Sequence, residues 1–281
     1  MLKTGVEKKI GNFSVLSSVH YGSKKIFVEE SVRSVLSSTI LPKEYLMVVD
    51  GAIHKDLEIF LEKIELKHEF FRLVKIKRNI GLGAVLRYGV RASSCPMIAR
   101  IDSDDIVHTE RFEKQMSFLI ENNDVSILGS YVGEFEDTIN RLRINNLPLT
   151  FEDVKKYTKL RNPLAHSSVM MRRHDVLKAG NYRRFRKSQD YELFSRMVYL
   201  GFRIENLPEV LTYIRVGIDR DKRRQSWASA RGNLKVLKLM YQRKQVNIFE
   251  YFFIKNIRII LPLIPSKIFS KFHSVFFRNR L

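Results

Sequence analysis

The residues best suited to chemistry in this chain are Asp102, Asp104 and Asp105. They are three carboxylates in four positions, and they follow the short run Met97-Ile98-Ala99-Arg100-Ile101. Crowded carboxylates repel one another. A hard divalent cation offsets that repulsion, takes oxygen ligands and leaves coordination positions for substrate phosphates. The run before the acids reads as a buried strand, and the carboxyl ends of strands are where open α/β sheets bind ligands. The competing reading is a solvated loop in which Asp105 only caps the next helix. The surrounding elements must decide between them.

Those elements alternate. Residues 13–19 read as a first strand, followed by the turn His20-Tyr21-Gly22-Ser23. Val28, Val32, Val35 and Leu36 recur at helical spacing. Residues 45–49 form a second strand ending in Asp50-Gly51, and Leu57, Phe60, Leu61 and Ile64 mark an amphipathic helix. Residues 71–76 are a third strand, after which Asn79-Ile80-Gly81-Leu82-Gly83 opens a helix to about Ser93. Thr109 is placed to cap the helix after the acids, with Phe112, Met116, Leu119 and Ile120 on its buried side. Residues 125–130 are a fifth strand. Helices at 151–160 and 189–200, an extended segment at 166–172 and a last strand at 210–214 complete the pattern.

Strands alternating with helices define an α/β fold with a mostly parallel mixed sheet flanked by helices. Such a sheet sets Asp50, Asp102 and Asp104 past strand ends on one edge, with residues 79–83 beside them. Asp-Gly is also a common turn pair, but the place of Asp50 in this series favours a nucleotide role. Glycines at a helix start often serve the turn alone, the role favoured for residues 79–83.

A chain of 281 residues that is 44% hydrophobic can bury one sizeable core. Cys95 is the only cysteine, so no internal disulfide forms, which suits a reducing compartment. Residues 1–12 show no apolar core of a signal peptide. No apolar run approaches the ~20 residues of a transmembrane helix. The net charge of +20 is uneven: residues 220–281 hold 15 Lys and Arg against two Asp and Glu, +13 of the total. A basic end implies an anionic partner, whether nucleic acid, phosphosugar or lipid.

The chain therefore divides into a catalytic domain, 1–218, and a basic helical amphipathic C-terminal extension, 219–281. In the extension Phe249, Phe252, Phe253, Ile257, Ile260, Leu261 and Ile264 repeat at helical spacing. Ile268, Phe269, Phe272, Val275 and Phe276 follow, with lysines and arginines interleaved. This reads as an interfacial anchor on an anionic membrane surface, the alternative being packing on the catalytic domain.

Several stretches together resemble the family 2 glycosyltransferases with a GT-A (Rossmann-like) fold. These are Ser18-Val19-His20-Tyr21, Val49-Asp50-Gly51, Asn79-Ile80-Gly81-Leu82-Gly83, Ala99-Arg100-Ile101-Asp102-Ser103-Asp104-Asp105, His166-Ser167-Ser168 and Gln189-Asp190-Tyr191-Glu192-Leu193. Their order and spacing over roughly residues 13–215 are similar to bacterial exopolysaccharide and lipopolysaccharide enzymes of the amylovoran type.

The resemblance implies inverting, metal-dependent sugar transfer from a nucleotide-diphosphate sugar, UDP-linked by expectation. The implied acceptor is a glycan or a polyprenyl-diphosphate-linked oligosaccharide. The implied location is cytoplasmic, peripheral on the inner face of the plasma membrane. By the same resemblance Val19 and Tyr21 pack around the base and Asp50 holds base or ribose. Asp102 touches the ribose and joins Asp104 in binding Mn2+ or Mg2+, with Ser103 and Asn79 also in the donor site. Arg87 stands where many members carry Asn after the glycine-rich turn. Asp190 is the implied catalytic base, with a helix cap as the alternative and Glu192 as the next candidate base. His166 is expected near the acceptor or metal. Arg220, Lys222, Arg223 and Arg224 form a basic loop read as a lid, with Arg223 and Arg224 toward the diphosphate.

Two other classes fit parts of the chain. A sugar nucleotidyltransferase also uses a metal-binding Asp, but its Gly-rich, Arg-containing loop after the first strand is missing from residues 17–23. A non-catalytic basic nucleic-acid-binding module matches the charge. However, no helix-turn-helix, zinc-ligand or RNA-binding aromatic motif is present, and an acidic crevice without a metal repels phosphates. No nucleic-acid partner is expected.

Overall fold

A computed structural model describes residues 8–136, 138–139, 141–217 and 226–264. The first half alternates as β1 (Lys9–His20), α1 (Lys25–Leu36), β2 (Ile40–Asp50), α2 (Lys55–Lys67), β3 (Phe71–Ile76), α3 (Leu82–Ala92) and β4 (Met97–Arg100). Then come β5 (Ile106–Val107), α4 (Arg111–Glu121), β6 (Val125–Phe135), β7 (Arg143–Asn145) and α5 (Phe151–Leu160). A 3-10 turn (His166–Ser168), β8 (Met170–Arg172), α6 (Arg173–Lys178), α7 (Gln189–Tyr199) and β9 (Arg203–Arg215) follow. The described chain closes with α8 (Trp227–Gln242) and α9 (Ile248–Ile260).

The strands make one mixed sheet in the order β3-β2-β1-β4-β8-β6-β9-β5, with β7 on β6. Four consecutive strands, β3-β2-β1-β4, are parallel. The expected extended segment supplies β8, which inserts antiparallel between β4 and β6. Beyond it β6 and β9 run parallel again. The mixed sheet with flanking helices expected from the sequence is present, its parallel part concentrated in the first half.

Alternation in β1 and β2 builds two cores. Phe13, Val15, Tyr45 and Met47 face α1, α2 and α4, packing with Val32, Leu57, Phe112 and Leu119. Leu16, Leu46 and Val48 face the other way, onto Leu86, Leu193, Phe194 and Met197. Because both faces are covered, residues 45–49 are continuously apolar rather than alternating.

Two local expectations are corrected. The helix after the acids starts at Arg111 with Glu110 at the N-cap and no side-chain cap, so Thr109 does not cap it. The Thr109 carbonyl instead accepts from Thr39 N–H at 2.9 Å. Ile120 is exposed, and the buried face of α4 is Arg111, Phe112, Gln115 and Leu119. The stripe includes two polar residues because both bond carbonyls beneath the helix, which hydrophobic periodicity cannot register.

The described helices of the extension pack on α7. Tyr191 joins Val236, Leu237, Met240, Val246 and Ile254 in a third apolar cluster. Glu192 of α7 is wholly buried and binds Arg196, Arg183 and Arg243. Burial alone would raise its carboxyl; hydrogen bonds from Arg196 and Arg243 and the charge of Arg183 hold it below the usual value of 4.5.

Glu192→Ala should strand two largely buried guanidiniums, lowering stability by about 3–5 kcal/mol and Tm by roughly 6 °C or more. A depressed folded pKa means the wild-type carboxylate stabilises fully above the ordinary Glu value. That contribution is lost as pH falls below about 4.5. Thermal melts of both proteins between pH 3 and 7 check this: their Tm difference should narrow on acidification.

Candidate active site

Parallel pairing decides which residues meet. Leu16 lies opposite Arg100 and His20 opposite Asp50, so β1, β2 and β4 deliver their carboxyl ends to one edge. Ser17 Oγ donates to Ile101 O at 2.7 Å, fastening β1 to the loop of acids. At this edge opens a cleft of about 710 Å3 whose lining includes Val19, Asp50, Asn79, Asp102, Ser103 and Asp104. The structure thus brings together six of the residues selected from sequence.

Each acid there has a different environment. Asp50 is 5% exposed. Its two carboxylate oxygens accept from Ile80 N at 2.7 Å and Gly81 N at 3.0 Å, and Asn79 Nδ2 donates to its carbonyl. Asp50 therefore shapes the loop that forms one wall of the cleft. Asp102 is ion-paired with Arg100, which is completely buried. Withdrawal from water pushes the Asp102 carboxyl up, but the charge of Arg100 prevails and its pKa is lowered. Asp104 is exposed in the cleft. Desolvation and the negative charge of Asp102 both raise its carboxyl. Asp105 is buried and accepts from Arg215 N at 2.9 Å. Burial, Asp102 and Asp104 hold its carboxyl well above normal. It caps no helix, since Glu110 holds that position.

His166 and Asp190 do not line this cleft; they belong to a second cluster, from the second half of the chain, whose His166 feels the charge of Asp102. His166 Nε2 lies 2.9 Å from Tyr182 Oη. Burial and nearby Arg100 push the imidazole down to about 4, against the pull of Asp190 and Asp102. His166 is therefore neutral at neutral pH although both acids act on it. Asp190 stands in the first turn of α7 and accepts from Asn162 Nδ2 at 2.7 Å. Ser188 holds the N-cap position, so the capping alternative for Asp190 does not describe this helix. Glu192, the next candidate base, is consumed by its three arginines.

Other expected residues sit apart. Tyr21 is 65% exposed and its ring lies 4.5 Å from that of His54, beside the lining residues His20 and Gly22. Arg87 does not line the cleft, its guanidinium donating to the carbonyls of Gly180 and Tyr182 at 3.3 and 3.0 Å. Arg220, Lys222, Arg223 and Arg224 lie outside the described residues.

The cleft also contains Lys24, Phe27, Glu136 and Arg215, none of which was selected from sequence. Arg215 lies between the rings of Phe27 and Phe135, at 4.2 and 4.6 Å. It pairs with Glu30 and donates through Nε to Asp104 O at 3.3 Å. A cation ending the last strand is a visible signal, but its partners on α1 lie 185 residues away.

The donor set fits a hard cation. Asp104 and the second oxygen of Asp102 offer carboxylate oxygens, and on Asp104 the pull of Arg100 and Arg215 is outweighed by desolvation and the charge of Asp102. Among the described residues no group of three or more His, Cys, Asp and Glu converges as a complete metal cage. Two carboxylates with the remaining positions left to phosphate is the arrangement Mg2+ favours.

A cleft lined by Asp50, Asp102 and Asp104 at the carboxyl edge of a mixed α/β sheet is the arrangement expected of a GT-A glycosyltransferase. Residues 21–180 match the model of the glycosyl transferase family 2. The chain is 30% identical to the amylovoran biosynthesis glycosyltransferase AmsE of Erwinia amylovora, over 89% of this chain and 95% of that one. It is 27% identical to the UDP-Gal:alpha-D-GlcNAc-diphosphoundecaprenol beta-1,3-galactosyltransferase of Escherichia coli, over 90% and 92%. Its fold is similar to that of the mannosyltransferase PcManGT from Pyrobaculum calidifontis in complex with GDP-Man and Mn2+. The TM-score is 0.67 at 9% identity, covering 94% of this chain and 75% of that one. This chain belongs to glycosyl transferase family 2 and is a glycosyltransferase.

Asp50→Asn should set an amide group against an N–H donor of the 79–81 loop, costing about 1–3 kcal/mol. Calorimetric titration with UDP and Mn2+ is expected to show affinity reduced about tenfold or more as that wall loosens, at one unit of RT ln 10 per decade.

Proposed function

We propose that this enzyme transfers a sugar, with inversion, from a UDP-sugar to a lipid-linked glycan acceptor in the making of a bacterial surface polysaccharide. The observation that carries the mechanism is the division of acids. Asp102 and Asp104 lie in the cleft, while Asp190 stands apart on α7, and His166 feels the charge of both Asp102 and Asp190. The E. coli relative's named UDP donor and diphosphoundecaprenol acceptor support the substrate classes, and AmsE's name supports the polysaccharide setting.

In this mechanism the Asp50 loop, Val19 and Asn79 hold the nucleoside. Asp104 and Asp102 would hold Mn2+ or Mg2+, which when bound neutralises charge on the leaving diphosphate. Asn162 fixes one oxygen of Asp190. The other takes the proton of the acceptor hydroxyl as that oxygen bonds to the anomeric carbon and the carbon–diphosphate bond breaks. Attack from the face opposite the leaving group inverts the centre, and nucleoside diphosphate departs. One base suffices, contributing roughly 10²–10⁴-fold.

The enzyme's place, in this reading, is the inner face of the plasma membrane. No helix of the described residues is long and apolar enough to cross a membrane. α9 buries Ile254 and Arg258 against the domain, while Phe249, Phe252, Phe253 and Ile260 are 83%, 52%, 64% and 53% exposed on its outer side. An aromatic face beside basic residues suits the headgroup region of anionic lipid.

A panel of UDP-Gal, UDP-Glc and UDP-GlcNAc, with a GlcNAc-diphosphoryl-lipid acceptor and Mn2+ or EDTA, tests the reading through release of UDP. No release from any pair overturns it. Asp190→Asn should lower kcat by roughly 10²–10⁴-fold with UDP affinity and Tm unchanged; turnover within a few-fold of wild type removes Asp190 from the mechanism. Asp104→Ala should abolish the Mn2+-dependent part of UDP binding in calorimetry. The full chain should sediment with phosphatidylglycerol vesicles at low salt, and the pair Phe249→Ser, Phe253→Ser should largely release it.

A further inference from the structure

We propose that the C-terminal helix α8 is a brace that aims Asp190, with Gly232 and Asn233 as its positioning residues. The proposal rests on the reading of Asp190 as base. Its starting point is Ser188, two residues before Asp190, whose φ of 63° and ψ of 29° lie in the left-handed region. A non-glycine residue holds that conformation at a cost and only where its surroundings over-determine it. Ser188 stands at the N-cap of α7, where its hydroxyl would ordinarily accept from the helix. It makes no such bond. Its Oγ donates to Asn233 Oδ1 at 2.7 Å instead. The cap has been diverted to a different helix.

The approach of that helix is enforced by shape. A Cβ on Gly232 would sit 2.8 Å from Ser188 Oγ, 3.0 Å from Lys187 O and 3.1 Å from Lys187 Cβ. The same segment is pressed from its other side. A Cβ on Gly83, in the first turn of α3, would lie 2.8 Å from Arg183 O and 3.3 Å from Phe185 O. Residues Gly81, Leu82 and Val85 around that turn line the donor cleft. The segment leading into Asp190 thus touches both the donor-site helix and α8 closely, and a side chain at Gly83 or Gly232 would force it to shift.

The brace continues past Asp190. Arg258 of α9 donates to the Asn233 carbonyl and to Tyr191 Oη, the latter at 2.9 Å. Arg243, just after α8, donates to Glu192 at 2.8 Å, and Gln245 to Ser195 O at 2.9 Å. Residues on both sides of Asp190 are therefore fixed from the C-terminal helices, whereas its own side chain is held by Asn162. A base misplaced by about 1 Å loses on the order of 10²-fold in rate. The basic extension is in this view part of the catalytic apparatus, whatever else its outer face binds.

The test uses the full chain and the donor–acceptor pair that turns over fastest in the panel above. Gly232→Val and Asn233→Leu should lower kcat about 10–100-fold with donor KM within about twofold. Amide exchange of residues 183–192 should quicken about tenfold, while β1, β2 and β4 keep wild-type protection. Asn233→Asp, which retains an acceptor for the Ser188 hydroxyl, should restore most of kcat. Wild-type exchange in residues 183–192, or wild-type kcat in Asn233→Leu, overturns the brace. So does a parallel loss of exchange protection throughout the domain with kcat and KM moving together, the mark of a merely structural role. Asp190→Asn in the same assay separates the premises. If it turns over normally the base reading falls and the brace with it; if it is inactive while Asn233→Leu is normal, only the brace falls.

Discussion

Everything at the active edge depends on how the chain balances buried charge at the end of β4. Arg100 and Arg111 are completely buried, and three carboxylates crowd against them. A guanidinium taken out of water survives only when its donors and its charge are met. Arg111 satisfies its donors on the carbonyls of Arg100, Ser167 and Val169 and its charge is opposed by Asp105, yet burial still pulls its pKa down to about 9. Arg100 is met by Asp102, while its Nε and Nη1 have no acceptor among the described residues. Asp104, in the open cleft, feels both Arg100 and Arg215, but desolvation and the charge of Asp102 still raise its carboxyl.

The same cluster joins the two halves of the fold. Arg111 reaches from α4 to the turn carrying His166, and Asp102 N–H donates to Ser167 Oγ at 2.9 Å. Gln115 donates to the carbonyls of Leu128 and Ser168. The insertion of β8 beside β4 makes these contacts possible, since it returns the chain antiparallel and drops residues 166–168 onto the loop of acids. A purely parallel continuation would have placed an unrelated crossover there. The position of the His166 turn is therefore a consequence of one three-residue strand changing direction.

A second balance holds α7. Its first turn carries Asp190 toward the site and Glu192 into the interior, and their fates differ because their neighbours differ. Glu192 is enclosed by arginines from three parts of the chain and serves stability. Among the described residues Asp190 has the Asn162 amide, and no arginine, as a hydrogen-bond partner. Two carboxylates two residues apart on one helix point to different faces, so geometry separates them as the 100° helical step requires.

What the sequence determined by itself is the layout of the first half. Short apolar runs bounded by turns and helical stripes at period 3.6 specify β1 to β4 and their helices. Parallel connection then obliges Asp50, Asp102 and Asp104 to share an edge. The motif order was enough to indicate the family. Left to tertiary structure were the matters governed by contacts distant in the chain. Arg87 turned to the carbonyls of Gly180 and Tyr182, Thr109 lost its cap to Glu110, and Arg215 found Glu30 and two phenylalanines in the cleft. The grip of α8 on Ser188 belongs to the same kind, because a glycine in a helix shows its purpose only when the chain it admits is in place. Periodicity records which face of an element is buried; it does not record which polar group waits on the other side, and that is where this site was assembled.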